Sequence, residues 1–575
     1  MKKLIYAFIC MLLAFSIYGK EEKLCNNFYI AGNTLFKSLS FNSNEKKLIC
    51  GSDTPGWRNI PMNQALRQIG LSLESRGYYK WSKTEHGEKV IIDPGEKAKL
   101  EKIILVDEPE RFGEISYKGI IGQTINPDKL KEVENWSLKR LRAIGYPCAK
   151  VEVSGSYEQD AVKVKILKGP KVYIRSVKRE KLEQIKPATL GRHDVFNIGD
   201  EFNGDYLDLT SRRLSKFGIT SYSFFNHQCE DPENLGHLSH NALLDKAQSL
   251  IFAVGASSEE FPFSKIQWKH SRLDRKASWA VAELYVSPVR KSLNSEMKFY
   301  FTDSYPRMFL FPSLNVSHER EEVYTALFQK YKFGIGYLHD FSHHQLGLKF
   351  GPTYNFERTF KGPVIDKKNY LSFETNISFN SHYFEYFQFS PRHGFNLDLE
   401  LITQKKGIGS DFSGNRVSLK GKYLFNIGSF DPPVIILGLR GEIRFLDVDS
   451  LESTPQVLRM YLGGINNIRG FANKSINNNN LGYLTSLYLG FEARFASFLP
   501  YKIQPYIFYD LAKVGLRAYK FSNALLHSPG LGIRWESPIG VLRLSAASGK
   551  IHGKGEELVH TQEEVNYFFS YGKEF

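Results

Sequence analysis

The sequence predicts small α+β repeats followed by a C-terminal transmembrane antiparallel β-barrel of about 16 strands. Three observations predict this class: an export signal at the N-terminus, a helix–glycine–strand pattern that occurs three times, and amphipathic strands that continue to the C-terminus. The composition of 42% hydrophobic and 24% charged residues indicates an ordered chain. A mean hydropathy of −0.33, without a long apolar run after residue 19, argues against spanning helices.

The N-terminal residues 1–19 are predicted to be a signal peptide. Lys2 and Lys3 supply its positive region, and residues 4–17 supply a short apolar region. We place the cleavage after Gly19. The formal net charge of +15 is compatible with anionic lipid headgroups or an acidic partner, and equally with a solvated surface.

Four cysteines follow the predicted signal peptide: Cys25, Cys50, Cys148 and Cys229. In an exported protein, Cys25 and Cys50 could close a disulfide loop. The alternative is four unpaired or partly buried thiols. None of them has the spacing of metal ligands, so we predict no metal site from cysteine.

The first half repeats a small α/β pattern in which a helical stretch ends at a glycine and strands follow. The three glycines, Gly77, Gly145 and Gly218, lie 68 and 73 residues apart, a period that suits small domains in series. The alternative is three unrelated α/β fragments. The predicted domains are residues 20–96, 97–168 and 169–245, with the barrel at 246–575. Open sheet edges in such units suit the addition of an extended peptide strand.

The second half consists of strands with one apolar face and one mostly polar face. Residues 371–380, 435–445 and 487–495 alternate in this way. A soluble β-sandwich also alternates. The export signal, a length that accommodates about 16 strands of ~9–11 residues, and a final strand at 565–575 that ends in an aromatic residue favour the membrane barrel.

One glycine-marked loop, residues 460–471, carries the candidate site. Its Arg469 lies between apolar residues, so its charge is either in water or held by a carboxylate. The alternation places Glu492 and Asp510 on the lumen side of their strands. A loop that enters the lumen could therefore bring Arg469 against both carboxylates; the alternative is an arginine in a solvated loop.

Several segments resemble the outer-membrane assembly and secretion superfamily whose members carry POTRA domains before a transmembrane barrel. They are GGINNIRGF (463–471), GFEARF (490–495), YIFYDLAKVG (506–515), SPGLGIRWESPIGVLRL (528–544) and NYFFSYGKEF (566–575). The resemblance covers nearly the whole chain after the signal peptide. Three repeats and one barrel look most like the TamA type (BamA-like members usually carry five POTRA domains, and two-partner secretion transporters two).

The resemblance implies a loop lock formed by Arg469, Gly470 and Phe471, with Glu492 and Asp510 as its partners in the lumen. It also implies a C-terminal β-signal, which would comprise the residues Phe569, Tyr571 and Phe575. The first strand, at about 250–257, and the last would pair weakly and form a lateral gate. The sequence departs from the family at Ala512, where a glycine is usual two residues after the aspartate.

The resemblance further implies a bacterial outer-membrane protein with its POTRA-like domains in the periplasm. It would insert β-barrel or autotransporter-type proteins through the lateral gate. Its implied partners are unfolded outer-membrane clients, a TamB-like periplasmic protein and outer-membrane lipids. The alternatives are a two-partner secretion transporter that exports a polypeptide through the lumen, and a passive pore.

We expect no enzymatic activity, cofactor, metal or nucleic-acid partner. His339, His343 and His344 lie near a predicted barrel turn, but the sequence offers no further ligand pattern beside them. Serines and histidines are plentiful, and no spacing singles out a nucleophile and its base.

Overall fold

The structure is a computed structural model that describes residues 20–25, 27–33, 39–53, 58–112, 121–341, 344–381, 392–428, 433–538, 540–553, 555, 558 and 561–571. The signal-peptide prediction lies outside these residues. The chain forms two compact units, one of residues up to 173 with 201–204, and one of residues 174–200 with 205 onward. Among the described residues, no helix is long and apolar enough to cross a membrane.

The first α/β domain packs two helices on a four-stranded sheet around Ile69, Leu73 and Ile92. Its elements are β1 (Lys20–Cys25), β2 (Phe28–Asn33), α1 (Ser43–Cys50), α2 (Met62–Glu74), β3 (Ser82–His86) and β4 (Lys89–Asp93), with sheet order β1-β2-β4-β3. A disulfide bond joins Cys25 at the end of β1 to Cys50 at the end of α1. The predicted pairing of these two cysteines is therefore confirmed.

The next two domains each combine a three-stranded sheet with α-helix, one described helix in the second domain and two in the third. The second contains β5 (Lys102–Val106), α3 (Pro127–Ala143), β6 (Lys150–Ser156) and β7 (Ala161–Leu167), in sheet order β5-β7-β6. The third contains β8 (Ser176–Arg179), α4 (Pro187–Leu190), α5 (Gly204–Lys216), β9 (Thr220–His227) and β10 (His237–Leu244), in sheet order β8-β10-β9. Strand β9 is thus an edge of the third sheet.

The three glycines that end the long helices share one backbone conformation. The φ angles of Gly77, Gly145 and Gly218 are +88°, +93° and +72°. Residues with a Cβ resist this left-handed conformation, so glycine is the residue that ends such a helix at low cost. The repeated helix–glycine pattern in the sequence reflects this common requirement.

The remaining strands form one closed antiparallel barrel in chain order, as the sequence predicts. They are β11 (Gln248–Ser257), β12 (Phe263–His270), β13 (Trp279–Val286), β14 (Arg290–Lys298), β15 (Met308–Arg320), β16 (Thr325–Phe341), β17 (His344–Lys361), β18 (Lys367–Ser381), β19 (Gly394–Gln404), β20 (Gly414–Ile427), β21 (Ile435–Val448), β22 (Thr485–Phe495), β23 (Ile503–Gly515), β24 (Leu525–Ser537), β25 (Gly540–His552) and β26 (Glu564–Tyr571). The predicted number of about 16 strands is confirmed.

One end of the barrel, here called the domain end, contacts the third α/β domain. Lys186 and Thr189 in that domain bond to the carbonyl of Arg275, which lies between β12 and β13. Lys186 also pairs with Asp303, between β14 and β15. The opposite end, called the distal end, carries the connection from β21 to β22 that contains the predicted lock.

Among the described residues, the junction of β11 and β26, here called the seam, is much shorter than the junction of β11 with β12. In the part of the chain that the structure describes, residues pair in register at Ala256↔Tyr571 and Ser257↔Ser570 only, and the Ser258 N–H donates to the Phe569 carbonyl at 2.9 Å. By contrast, β11 pairs with β12 at eight positions. The described part of β26 contributes no pairing to residues 248–255.

Candidate functional site: an arginine held in the barrel wall

The connection between β21 and β22, residues 449–484, packs into the barrel interior. Met460, Ile468 and Phe471 are fully buried. They form one apolar cluster with inward residues of the barrel wall, among them Val514 and Leu526. Because so large an apolar surface is removed from water, the loop is a folded part of the barrel interior.

The loop's glycines shape a compact turn that presents Arg469. Gly463 and Gly464 have φ angles of +107° and +100°, which residues with a Cβ resist. The Asn467 side-chain oxygen accepts hydrogen bonds from the N–H groups of Gly463 at 2.7 Å and Ile468 at 2.8 Å. The Gly464 N–H donates to the Phe471 carbonyl at 2.8 Å and closes the turn.

Arg469 contacts both carboxylates that the strand alternation predicts on the lumen side. Its Nε and Nη2 donate to the two oxygens of Asp510 at 2.8 and 2.9 Å, and its Nη1 donates to Glu492 Oε2 at 2.8 Å. The Arg469 backbone N–H also donates to Asp510 at 3.2 Å. The planar guanidinium suits this forked arrangement, which an ammonium group would not reproduce.

Arg469 and its partners Glu492 and Asp510 form the ion cluster of the predicted loop lock. This ion cluster is here called the lock, and it is almost completely buried. The three residues are 2%, 4% and 0% exposed, so each charge depends on its partners. Burial alone would lower the pKa of Arg469, but Asp510 and then Glu492 offset this and raise the pKa above its ordinary value. The guanidinium also lies 3.4 Å from the ring centroid of Phe508, over the electron-rich face.

Three further arginines surround the two carboxylates, and no sequence motif singles them out. Arg494 and Arg543 bond to Glu492 at 2.7 and 3.0 Å, and Arg440 lies 3.7 Å from Asp510. They occupy polar positions on strands in which polar and apolar residues alternate. This alternation is the sequence signal that indicates a location in the lumen. Their convergence on the same carboxylates depends on strand register and curvature around the barrel.

The other predicted lock residues pack closely against the wall. A Cβ at Gly470 would lie 2.4 Å from the backbone nitrogen of Gly549 in β25, so only glycine allows this approach. Phe471 is fully buried. Ala512 is also buried, and β23 runs through it without interruption.

The loop is also held at two other points, Gln456 and Lys474. The carboxylate of Glu357 in β17 accepts the backbone N–H of Gln456 at 2.6 Å. The Lys474 ammonium bonds to Glu321 at 2.9 Å and to the Tyr324 hydroxyl at 2.9 Å. The carboxylates of Glu357 and Glu321 and the hydroxyl of Tyr324 provide these anchors, and nothing in their sequence context distinguishes them.

The remaining predicted residues lie elsewhere in the barrel. Phe569 and Tyr571 belong to β26 at the seam, and Phe575 lies outside the described residues. His339 in β16 contacts Arg307, and His344 in β17 stacks on Phe379. His343 also lies outside the described residues. The site's chemistry is therefore that of a buried ion cluster fixing a loop to strands β22 and β23.

Comparison with known proteins matches the barrel to a protein superfamily. Residues 295–575 match the Omp85 superfamily domain. BamA from Haemophilus ducreyi lacking POTRA domains 1–3 has a similar fold, with 16% identity and a TM-score of 0.51 over 82% of this chain and 99% of that chain. No curated protein matches the chain.

Two structures of CdiB also match. The protein from Acinetobacter baumannii shares 14% identity over 82% of this chain and 89% of its own, with a TM-score of 0.47. The protein from Escherichia coli shares 12% identity over 88% of this chain and 95% of its own, again with a TM-score of 0.47.

Proposed function

This chain belongs to the Omp85 superfamily of outer-membrane β-barrel proteins, and from that premise we propose that it is an assembly factor of the TamA type. It inserts β-barrel or autotransporter-type clients into the outer membrane through a lateral gate at the seam. Its clients arrive unfolded, from the side of the membrane that carries the α/β domains, the periplasm. A TamB-like periplasmic protein and outer-membrane lipids are its further partners.

The short pairing of β11 with β26 is the observation that carries this proposal. Of the described residues of β11, only Ala256 and Ser257 pair in register with β26. A strand edge presents N–H and C=O groups that an incoming strand can bond. Unpaired backbone groups cost several kcal/mol each in lipid, so a client strand that pairs with such an edge gains free energy from pairing and from lipid burial.

Two further features support assembly over secretion through the lumen. Three α/β domains precede the barrel, whereas two would favour a secretion transporter. The packed loop also occupies part of the barrel interior, which favours a lateral route. The edge strand β9 gives the third domain a place where a client segment could pair before it reaches the seam.

A reversible staple across the seam tests the proposal. Ser257→Cys and Ser570→Cys place two cysteines at positions paired in register, and oxidation should join them because antiparallel partners lie within about 4.5–5.5 Å between Cα atoms. We expect the oxidised barrel to fold and client assembly to fail, with assembly restored after reduction. Client assembly in cells is the measurement.

The control staple joins two strands away from the seam. Ser292→Cys and Ser317→Cys are also inward serines paired in register, on β14 and β15, and their oxidation should leave assembly intact. If clients still assemble with the seam stapled, the lateral gate is wrong. Transport through the lumen, as in a secretion transporter or a passive pore, then becomes the favoured function.

A further inference from the structure

The turn that carries Arg469 also contacts both flanks of the seam. On the β11 side, Glu259 in the following turn accepts the backbone N–H of Ile465 at 2.6 Å. On the β26 side, Glu564 accepts the backbone N–H of Ala472 at 2.7 Å. Asn566 on the same strand donates to the Gly470 carbonyl at 2.9 Å.

These contacts occur where β26 extends past the end of β11. Glu564 and Asn566 point into the barrel, while the alternate residues Val565 and Tyr567 are 57% and 76% exposed on the outside. The described pairs between the strands are at Tyr571 and Ser570, on the other side of these residues from the distal end. The inward side chains of β26 therefore bond to the loop in the stretch beyond its pairing with β11.

Both flanks bond to the same short piece of chain. The hydrogen bond from the Gly464 N–H to the Phe471 carbonyl brings the two ends of the turn together. A Cβ at Gly464 would lie 2.3 Å from the Glu259 carboxylate oxygen, which shows how closely the β11 flank approaches. Arg469, in the middle of the turn, is fixed to β22 and β23.

We infer that residues 464–472 act as a tie that holds the seam closed at the distal end, with Glu259 on one flank and Glu564 and Asn566 on the other. This inference rests on the proposed function, because it assigns a control element to the lateral gate. Release of the turn would separate the flanks. A client that displaces the loop from either carboxylate would thereby open the edge with which it pairs.

Labelling of the seam tests the tie. Ser570→Cys places a thiol at a buried seam position, where Ser570 is 1% exposed. The full chain in lipid nanodiscs is treated with a bulky maleimide, and the rate is corrected for labelling of the chain without this substitution. We expect Glu564→Ala and Glu259→Ala each to raise the rate about tenfold, in the range expected for losing a hydrogen bond to a charged group.

Two matched variants separate the tie from a general effect of charge. Glu563→Ala removes an exposed neighbouring carboxylate that bonds to the Ile551 N–H of β25, and the rate should stay within about twofold of the parent. Glu564→Gln keeps a side-chain oxygen that can accept from Ala472 and should restore most of the protection. Mobility of unheated samples in gels reports the folded fraction of each variant.

The double variant gives the sharpest outcome. If one turn bridges both flanks, weakening either attachment loosens the same bridge, so Glu259→Ala with Glu564→Ala should label little faster than each single variant. Equal rates in Glu564→Ala, Glu259→Ala and the parent would overturn the tie, as would two independent, multiplying effects. The two flanks also test the idea separately, in case one variant fails to fold.

The same experiments distinguish failure of the tie from failure of the proposed function. Faster labelling together with normal client assembly in the stapled barrel would keep the tie and overturn the assembly function. Unchanged labelling together with blocked assembly in the stapled barrel would do the reverse.

Discussion

Arg469 joins the loop to a wall that already contains compensating charges. Glu492 has Arg494 and Arg543 as further partners, and Asp510 accepts a hydrogen bond from the Tyr488 hydroxyl at 3.1 Å. Loss of the Arg469 side chain therefore leaves neither carboxylate without a polar contact. The loop, by contrast, loses its central attachment.

At this position we predict that Arg469→Ala impairs client assembly much more than barrel folding. A hydrogen bond to a charged group contributes about 1.5–3 kcal/mol, and the structure places the loss of the Arg469 hydrogen bonds on the loop's attachment to the wall. The amount of folded barrel in the outer membrane and the assembly of clients are measured in the same cells.

Arg469→Lys is the matched variant for the geometry of the lock. It keeps the charge but cannot reproduce the three donors that reach Asp510 and Glu492, so an intermediate defect is expected. A fully active Arg469→Ala protein would contradict the lock.

Among the elements, the Cys25–Cys50 disulfide should dominate the stability of the first domain. It ties β1 to α1 across a sequence separation of 25 residues. In the chain-entropy description, a loop of this size stabilises the fold by about 3 kcal/mol. A small domain depends on such a cross-link because its core is limited.

We therefore predict that Cys25→Ser with Cys50→Ser speeds hydrogen exchange in α2 and β4 by up to about a hundredfold, since each 1.36 kcal/mol is a factor of ten. Exchange in α3 and β7 of the second domain serves as the internal control. Unchanged protection in α2 would show that packing alone holds this domain together.

Regular elements could be predicted from sequence wherever one local rule dominates. The helices before Gly77, Gly145 and Gly218 follow from apolar periodicity and a glycine stop, and the barrel strands follow from alternation. The pairing of Arg469 with Glu492 and Asp510 could be proposed because strand parity decides which side chains face inward.

Contacts across the barrel could not be predicted in the same way. Glu259, Glu357 and Glu564 reach the loop from three different strand ends or walls, which depends on register, tilt and curvature. The convergence of Arg440 and Arg543 has the same cause. Their residue types alone are ordinary for polar positions on a barrel strand.

At the scale of the whole molecule, the contact between the third α/β domain and the barrel contains a buried titratable group. His193 Nδ1 lies 2.9 Å from Asp340 at the domain end of β16. Arg213 also contacts Asp340 at 2.9 Å, and Phe217 stacks on the His193 ring. Burial lowers the pKa of His193; the Asp340 contact opposes this, and Arg192 and Arg213 add to the lowering.

The sign of the resulting pH dependence follows from a lowered pKa. Folding favours neutral His193, so its contribution to stability is present above the ordinary pKa of 6.5 and is lost as the pH falls. We predict weaker protection of α5 against hydrogen exchange at pH 5 than at pH 7.5, after correction for intrinsic exchange rates. His193→Gln should weaken this dependence, because glutamine can donate to Asp340 without titrating.

The parent must be compared with His193→Gln because neighbouring groups also titrate. Burial lowers the pKa of His240 to about 4, which likewise favours the fold at higher pH. Burial raises the pKa of Asp194 to about 6, which has the opposite sign. An identical pH profile in the parent and in His193→Gln would assign the effect to these groups.

The seam also determines how often the barrel is open. Among the described residues, its pairing at Ala256 and Ser257, with the bond from Ser258 to Phe569, amounts to roughly three backbone hydrogen bonds at about 0.5–1.5 kcal/mol each in water. Where water reaches the separated groups, these bonds alone correspond to an open fraction between about one molecule in ten and one in two thousand, and in lipid, where unpaired backbone groups cost more, the open fraction is smaller. Thermal motion then supplies open barrels continuously, each contact that the loop adds makes them rarer, and under the proposed function a client captures one of them.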